Sequence, residues 1–136
     1  MAEAMISGLL SQGIAKAGNL VAAGPRAERG HELREKYGVQ PCTDNVRAVA
    51  GANVVVLATK PQVLPSLYPA LKGRIASDAL VLSIIAGARI DNIVTGLAHA
   101  SVVRSMPNSP AQIGQGITVW IAAPSVSTAQ REQARL

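Results

Sequence analysis

The run Asn53-Val54-Val55-Val56-Leu57-Ala58, followed by Thr59-Lys60-Pro61-Gln62, decides the fold class. Consecutive β-branched and aliphatic residues without polar interruption predict a strand buried on both faces, as in a parallel sheet with helices on either side. Lys60-Pro61 stops it. The pattern recurs downstream. Ala79 to Ile85 reads as a second buried strand halted at Ala86-Gly87, Ser101 to Ser105 as a third, and Ile117 to Ala122 as a fourth. A loop rich in Pro, Gly and Asn separates the last two, from Met106 to Gly116. Upstream, Leu20 to Ala23 is a short apolar run ended by Gly24-Pro25, and Val39 to Thr43 makes another short strand.

Helical spacing fills the intervals. Met5, Leu9 and Leu10 mark a helix over residues 2–12. Pro25 to Tyr37 is a charged, exposed helix with Gly38 at its carboxyl cap. A brief helix capped by Thr43 or Asp44 runs through Ala50. Gln62 to Leu71 is helical but perturbed by Pro65 and Pro69. Ile90, Ile93, Val94 and Leu97 follow amphipathic spacing, and Ser127 caps a helix that begins near Ser125. Strands alternating with helices predict an α/β protein with an open, mostly parallel sheet.

Composition narrows the classes. The 136 residues are 49% hydrophobic and only 15% charged, which excludes disorder over most of the length. Aromatics are 2% with no Phe, so the core is built from Ala, Val, Ile and Leu. Cys42 is the single cysteine, which excludes an internal disulfide. The net charge is +5, and the basic residues are scattered among almost no stacking aromatics. Single-strand nucleic-acid binding is therefore set aside in favour of a phosphate-bearing small molecule. The longest apolar runs are too short for a bilayer, and Glu3 sits where a signal peptide would be positive, so a cytoplasmic protein is expected.

Ligands of open α/β sheets bind beyond the carboxyl ends of the strands. The residues there are Gly24-Pro25-Arg26, Thr59-Lys60-Pro61-Gln62, Ala86-Gly87 and Met106-Pro107-Asn108-Ser109-Pro110. Each is small, kinked or polar after an apolar run. Together they are expected to line one rim of the sheet, as a nucleotide cleft requires.

Ala58-Thr59-Lys60-Pro61-Gln62, Ser83-Ile84-Ile85-Ala86-Gly87 and Arg104 to Pro110, in this order and spacing, resemble three successive signatures of pyrroline-5-carboxylate reductases. The opening Met1 to Leu10 resembles the helix after that family's glycine-rich loop. The resemblance implies a Rossmann-like fold with helices on both faces of the sheet and one NAD(P)-binding domain over residues 1–136. It implies NADPH or NADH as cofactor and 1-pyrroline-5-carboxylate as substrate. The implied reaction is hydride transfer to the C=N bond, giving L-proline in the last step of proline biosynthesis. The family's first strand and glycine loop have no counterpart here, nor does its helical dimerisation domain. The chain is therefore expected to be a fragment, incomplete at its N-terminus, of a parent that forms a homo-oligomer. In strand order 3-2-1-4-5-6 the missing strand is central, so unpaired edges and self-association are expected. The alternative is a non-catalytic nucleotide-binding or interaction module derived from such a reductase.

The expected cofactor-binding residues are Arg26, Asn45, Ala58, Thr59, Lys60, Pro61, Ala86, Gly87 and Asn108. The strand before Arg26 ends without the acid that binds a ribose 2′-hydroxyl in NAD-preferring folds. Arg26, with Arg29 beside it, is thus a partner for a 2′-phosphate, or else both are solvated helix charges. The Ala58 to Pro61 turn either contacts the ribose or nicotinamide region or merely ends a strand. Asn45 is a cofactor contact or a helix cap. Ala86-Gly87 is small because it lies against the nicotinamide or because its turn needs small residues. Asn108 orients a ligand or forms a turn. Arg104 is expected to pair with an acid, Ser83 to be a core hydroxyl, and Cys42 a half-buried small residue. His31 and His99 are expected on exposed helix surfaces, Trp120 packed in a strand. No His/Cys/Asp cluster has metal-ligand spacing.

Overall fold

The computed structural model describes residues 1–108 and 116–136. The chain divides into two compact units, Met1–Ala48 and a second comprising Val49–Asn108 with Ile117–Leu136.

The first unit contains α1 (Ala2–Ser11), β1 (Val21–Ala23), α2 (Ala27–Tyr37), β2 (Gln40–Cys42) and the start of α3 (Asn45–Val49). The two strands pair in parallel, Val21 opposite Gln40 and Ala23 opposite Cys42. Gly38 ends α2 in the left-handed conformation (φ 72°), as its position predicts. Gly30 lets α2 approach β2 closely, since a Cβ there would lie 2.8 Å from that of Pro41. Of residues 1–48 only Val39 is buried. Asp44 caps α3 through its Oδ1, which accepts from the amides of Val46 (2.9 Å) and Arg47 (3.2 Å).

The second unit holds the main core. Its sheet has the order β3 (Val54–Leu57), β4 (Leu80–Ser83), β5 (Val102–Pro107), β6 (Thr118–Ala122). The first three strands are parallel and β6 is antiparallel to β5. Two helices, α4 (Leu64–Leu71) and α5 (Ile90–Leu97), pack together, and α6 (Thr128–Arg135) closes the chain. Gly96 is the contact point of the helix pair: a Cβ there would come within 2.5 Å of the Tyr68 ring. Leu80, Val81, Ile93, Leu97, Val102 and Val103 are essentially inaccessible. The α/β architecture with parallel pairing is as expected from the aliphatic runs, and so is the Ser127 cap, which forms a full capping box with Gln130.

Four side-chain environments differ from the sequence reading. β3 is not buried on both faces: Val54 and Val56 are 41% and 40% exposed, and only Val55 and Leu57 face the core. The reason is position, because β3 is an edge strand and β4 is the one buried throughout. His99 is buried rather than exposed. Ala98 ends α5 in the left-handed region, and the His99 ring sits 2.8 Å from the Ala79 carbonyl, so Nε2 carries the proton and donates. Arg104 forms no ion pair among the described residues, and its buried Nε lacks a partner there. Trp120 is only half-buried, because β6 is also an edge.

Candidate functional site

Parallel strands bring their carboxyl ends to one side of a sheet. In the second unit, Leu57 pairs with Ser83 and Ser83 with Arg104, so the three strands run in step. The Ile84 amide donates to the Leu57 carbonyl (3.1 Å), carrying the alignment past the end of β4. Seven expected site residues therefore leave from adjacent strand ends. Ala58, Thr59 and Lys60 are exposed just beyond β3, and Pro61 opens a single 3-10 turn, Pro61–Val63. Ala86 and Gly87 are exposed beyond β4, with Gly87 at φ 74° and open space where a Cβ would stand. Asn108 is exposed immediately after β5. The Ser109-Pro110 end of the third signature lies outside the described residues.

Two of these turns have internal order. Ser83 is inaccessible and its Oγ accepts from the Ile85 amide (3.3 Å), which matches its reading as a core hydroxyl and shapes the bend before Ala86. The Asn108 Oδ1 accepts from the Ile117 amide (3.0 Å). This bond ties the end of β5 to the residue that precedes β6.

A groove of about 560 Å³ adjoins the turns after β3 and β4. It runs between α4 and α5, and Pro61, Ala86, Gly87, Tyr68, Asn92 and Thr95 line it. Burial pushes the Tyr68 hydroxyl pKa up. Sequence reasoning passed over Tyr68, Asn92 and Thr95. No local signal marks them, since their convergence depends on how two helices cross.

The first unit carries the other two expected residues. Arg26 is the residue before α2, exposed, and without an ion pair among the described residues. With Gly24, Pro25, Cys42 and Thr43 it lines a cavity of about 320 Å³ at the carboxyl ends of β1 and β2. Arg29 also borders this cavity, but its guanidinium is paired with Glu3 and Glu32. The two arginines expected to act together are thereby separated in role. Asn45 is half-buried in the first turn of α3, where Asp44 rather than Asn45 is the cap. It does not line the Arg26 cavity. Among the described residues no group of His, Cys, Asp and Glu could hold a metal ion.

Residues 1–87 match the family model described as NADP oxidoreductase, coenzyme F420-dependent. A pyrroline-5-carboxylate reductase from Pseudomonas aeruginosa is 37% identical over 135 residues, covering 98% of this chain and 49% of the relative. The solved structure of a pyrroline-5-carboxylate reductase from Coxiella burnetii superposes with a TM-score of 0.87 at 28% identity, over 98% of this chain and 50% of that one. The Plasmodium falciparum pyrroline carboxylate reductase, solved with NADP bound, gives a TM-score of 0.81 at 22% identity, over 96% of this chain and 47% of that one, a likeness of fold. The chain spans about half the length of the curated relatives it matches. On the family match and these likenesses, the chain belongs to the NADP oxidoreductase family, in its pyrroline-5-carboxylate reductase branch.

Proposed function

We propose that residues 1–136 act as the dinucleotide-binding half of a reductase that converts 1-pyrroline-5-carboxylate to L-proline with NADPH, or NADH, as hydride donor. The observation that carries the reading is the position of the three runs, each spanning or directly following the carboxyl end of one of three adjacent parallel strands. The residues fit a dinucleotide. Ala86 and Gly87 present small, exposed surface against which a flat ring can lie. Arg26 has no ion pair among the described residues, and none of the residues lining its cavity is a carboxylate that would repel a phosphate. The bound nicotinamide would supply the hydride that reduces the C=N bond. The chain's own residues bind and orient. Taken unit by unit, Arg26 and Asn45 are the proposed cofactor contacts of the first, and the Ala58 to Pro61 turn, Ala86-Gly87 and Asn108 those of the second.

The reading carries with it a homo-oligomeric parent and a cytoplasmic location. No helix among the described residues is long and apolar enough to cross a membrane. Calorimetric titration with NADPH and NADH tests the proposal. NADPH is expected to bind more tightly, and Arg26→Ala to lose about tenfold or more of that preference, as expected for a charge-assisted contact of about 1.5–3 kcal/mol. An unchanged ratio removes Arg26 from the site. Consumption of NADPH on addition of 1-pyrroline-5-carboxylate reports catalysis, and binding without consumption favours the non-catalytic module.

A further inference from the structure

β4 contains one polar residue. From Ala79 to Ile85 every side chain is aliphatic except that of Ser83. Ser83 is wholly inaccessible, in the strand whose four residues are all buried. A hydroxyl taken out of water costs free energy unless it is hydrogen-bonded, so its place in this strand needs a cause. The cause lies two residues on. The Ile84 amide still bonds across the sheet, to the Leu57 carbonyl (3.1 Å). The Ile85 amide does not, because the chain turns there, and among the described residues Ser83 Oγ (3.3 Å) is its only acceptor. Ile85 is itself 2% exposed, so water does not take that acceptor's place. The Ile85 carbonyl accepts from the Ala88 amide (3.4 Å), closing a turn over Ala86 and Gly87 with Gly87 at φ 74°. Ile85 is thus fixed at three points: its side chain in the core, its N–H on Ser83 and its C=O on Ala88. The position of the exposed Ala86 and Gly87 follows from it.

We propose that Ser83 is a positioning residue for the reductase: its hydroxyl, acting through the Ile85 amide, sets where Ala86 and Gly87 meet the nicotinamide ring. This rests on the dinucleotide reading above. Ser83 is inaccessible and so touches neither cofactor nor substrate. A hydroxyl suits the position where the other side chains of β4 do not. Beside an aliphatic residue the Ile85 N–H would be left buried without an acceptor, and it would regain one only by swinging towards water and taking the turn with it. Such a shift acts on the nicotinamide end of the ligand. Arg26, the contact read for the 2′-phosphate, lies in the other unit and is untouched by the change.

Affinities for two ligands separate positioning from mere packing: NADPH, and 2′-phospho-ADP-ribose, which lacks the nicotinamide. Ser83→Ala should weaken NADPH binding about fivefold and leave 2′-phospho-ADP-ribose as in the parent. Ser83→Thr, which keeps the hydroxyl, should restore NADPH binding. Amide NMR spectra should show the Ala86 and Gly87 signals displaced in Ser83→Ala and returned in Ser83→Thr. Ser83→Cys, similar in size but a weaker acceptor, stands in if Ser83→Ala loses its fold. A hydroxyl that only packs would lower the Tm and leave the ratio of the two affinities unchanged, and that result overturns the proposal. A parent that binds NADPH no more tightly than the analogue leaves Ala86-Gly87 without a ring to hold, and the dinucleotide reading then fails together with this inference. An unchanged ratio in folded Ser83→Ala, beside a parent that prefers NADPH, overturns the inference alone.

Discussion

Glu3 shows how one side chain ties two helices together. Its carboxylate accepts from Lys36 Nζ (2.9 Å), from the Tyr37 hydroxyl (2.9 Å) and from Arg29, all on α2. Hydrogen bonds from Lys36, Tyr37 and Arg29 hold its pKa down from 4.5 to about 2. A depressed carboxyl pKa stabilises the fold above the unfolded value, and that contribution fades as pH falls from about 4.5 towards 2. Denaturant titrations across this window should show α1 losing its anchor, and Glu3→Gln should flatten the acid limb. A variant with the parent's pH profile would remove Glu3 from the account. The effect should also shrink in high salt, since the cluster is partly solvated. The same cluster pairs Arg29, for which the sequence left a phosphate contact and a solvated helix charge both open, with an acid 26 positions away that no local pattern reveals.

At the scale of elements, caps and strand ends were readable because their chemistry is local. Ser127 precedes α6, its Oγ accepts from the Gln130 amide (3.2 Å), and the Gln130 Oε1 accepts from the Ser127 amide (3.0 Å). The Gln130 side chain also donates to the Asp78 carbonyl (3.1 Å), fastening α6 to the turn before β4. Ser127→Ala should cost about 0.5–2 kcal/mol, measured by urea denaturation, and a loss near zero would contradict the cap. Strand burial was less readable. An unbroken Val run looks alike whether a strand is central or at an edge, and only the order β3-β4-β5-β6 shows that β3 keeps one face in water. His99 was placed outside for a similar reason, because the left-handed turn at Ala98 that swings it inward has no glycine to announce it.

The whole molecule has an uneven core. The second unit buries a continuous set of aliphatic side chains, whereas among residues 1–48 Val39 alone is buried. Local stability follows buried apolar contact. Hydrogen exchange should therefore be fastest, among strand amides, in β1 and β2 and slowest in β4, whose four residues are all buried. Equal protection in the two sheets would show that the units open together.

Composition and spacing alone determined the α/β class, the strand ends and the order of the matched runs. These are properties of neighbouring residues: a β-branched run favours extended backbone, and a proline, glycine or capping serine ends or begins an element whatever lies around it. Tertiary structure decided which faces are wet, that Arg29 is already paired while Arg26 has no ion pair among the described residues, and that Tyr68, Asn92 and Thr95 share a groove with Ala86-Gly87. Each of those depends on contacts between residues far apart in the chain, and solvent exposure exists only once such neighbours are in place.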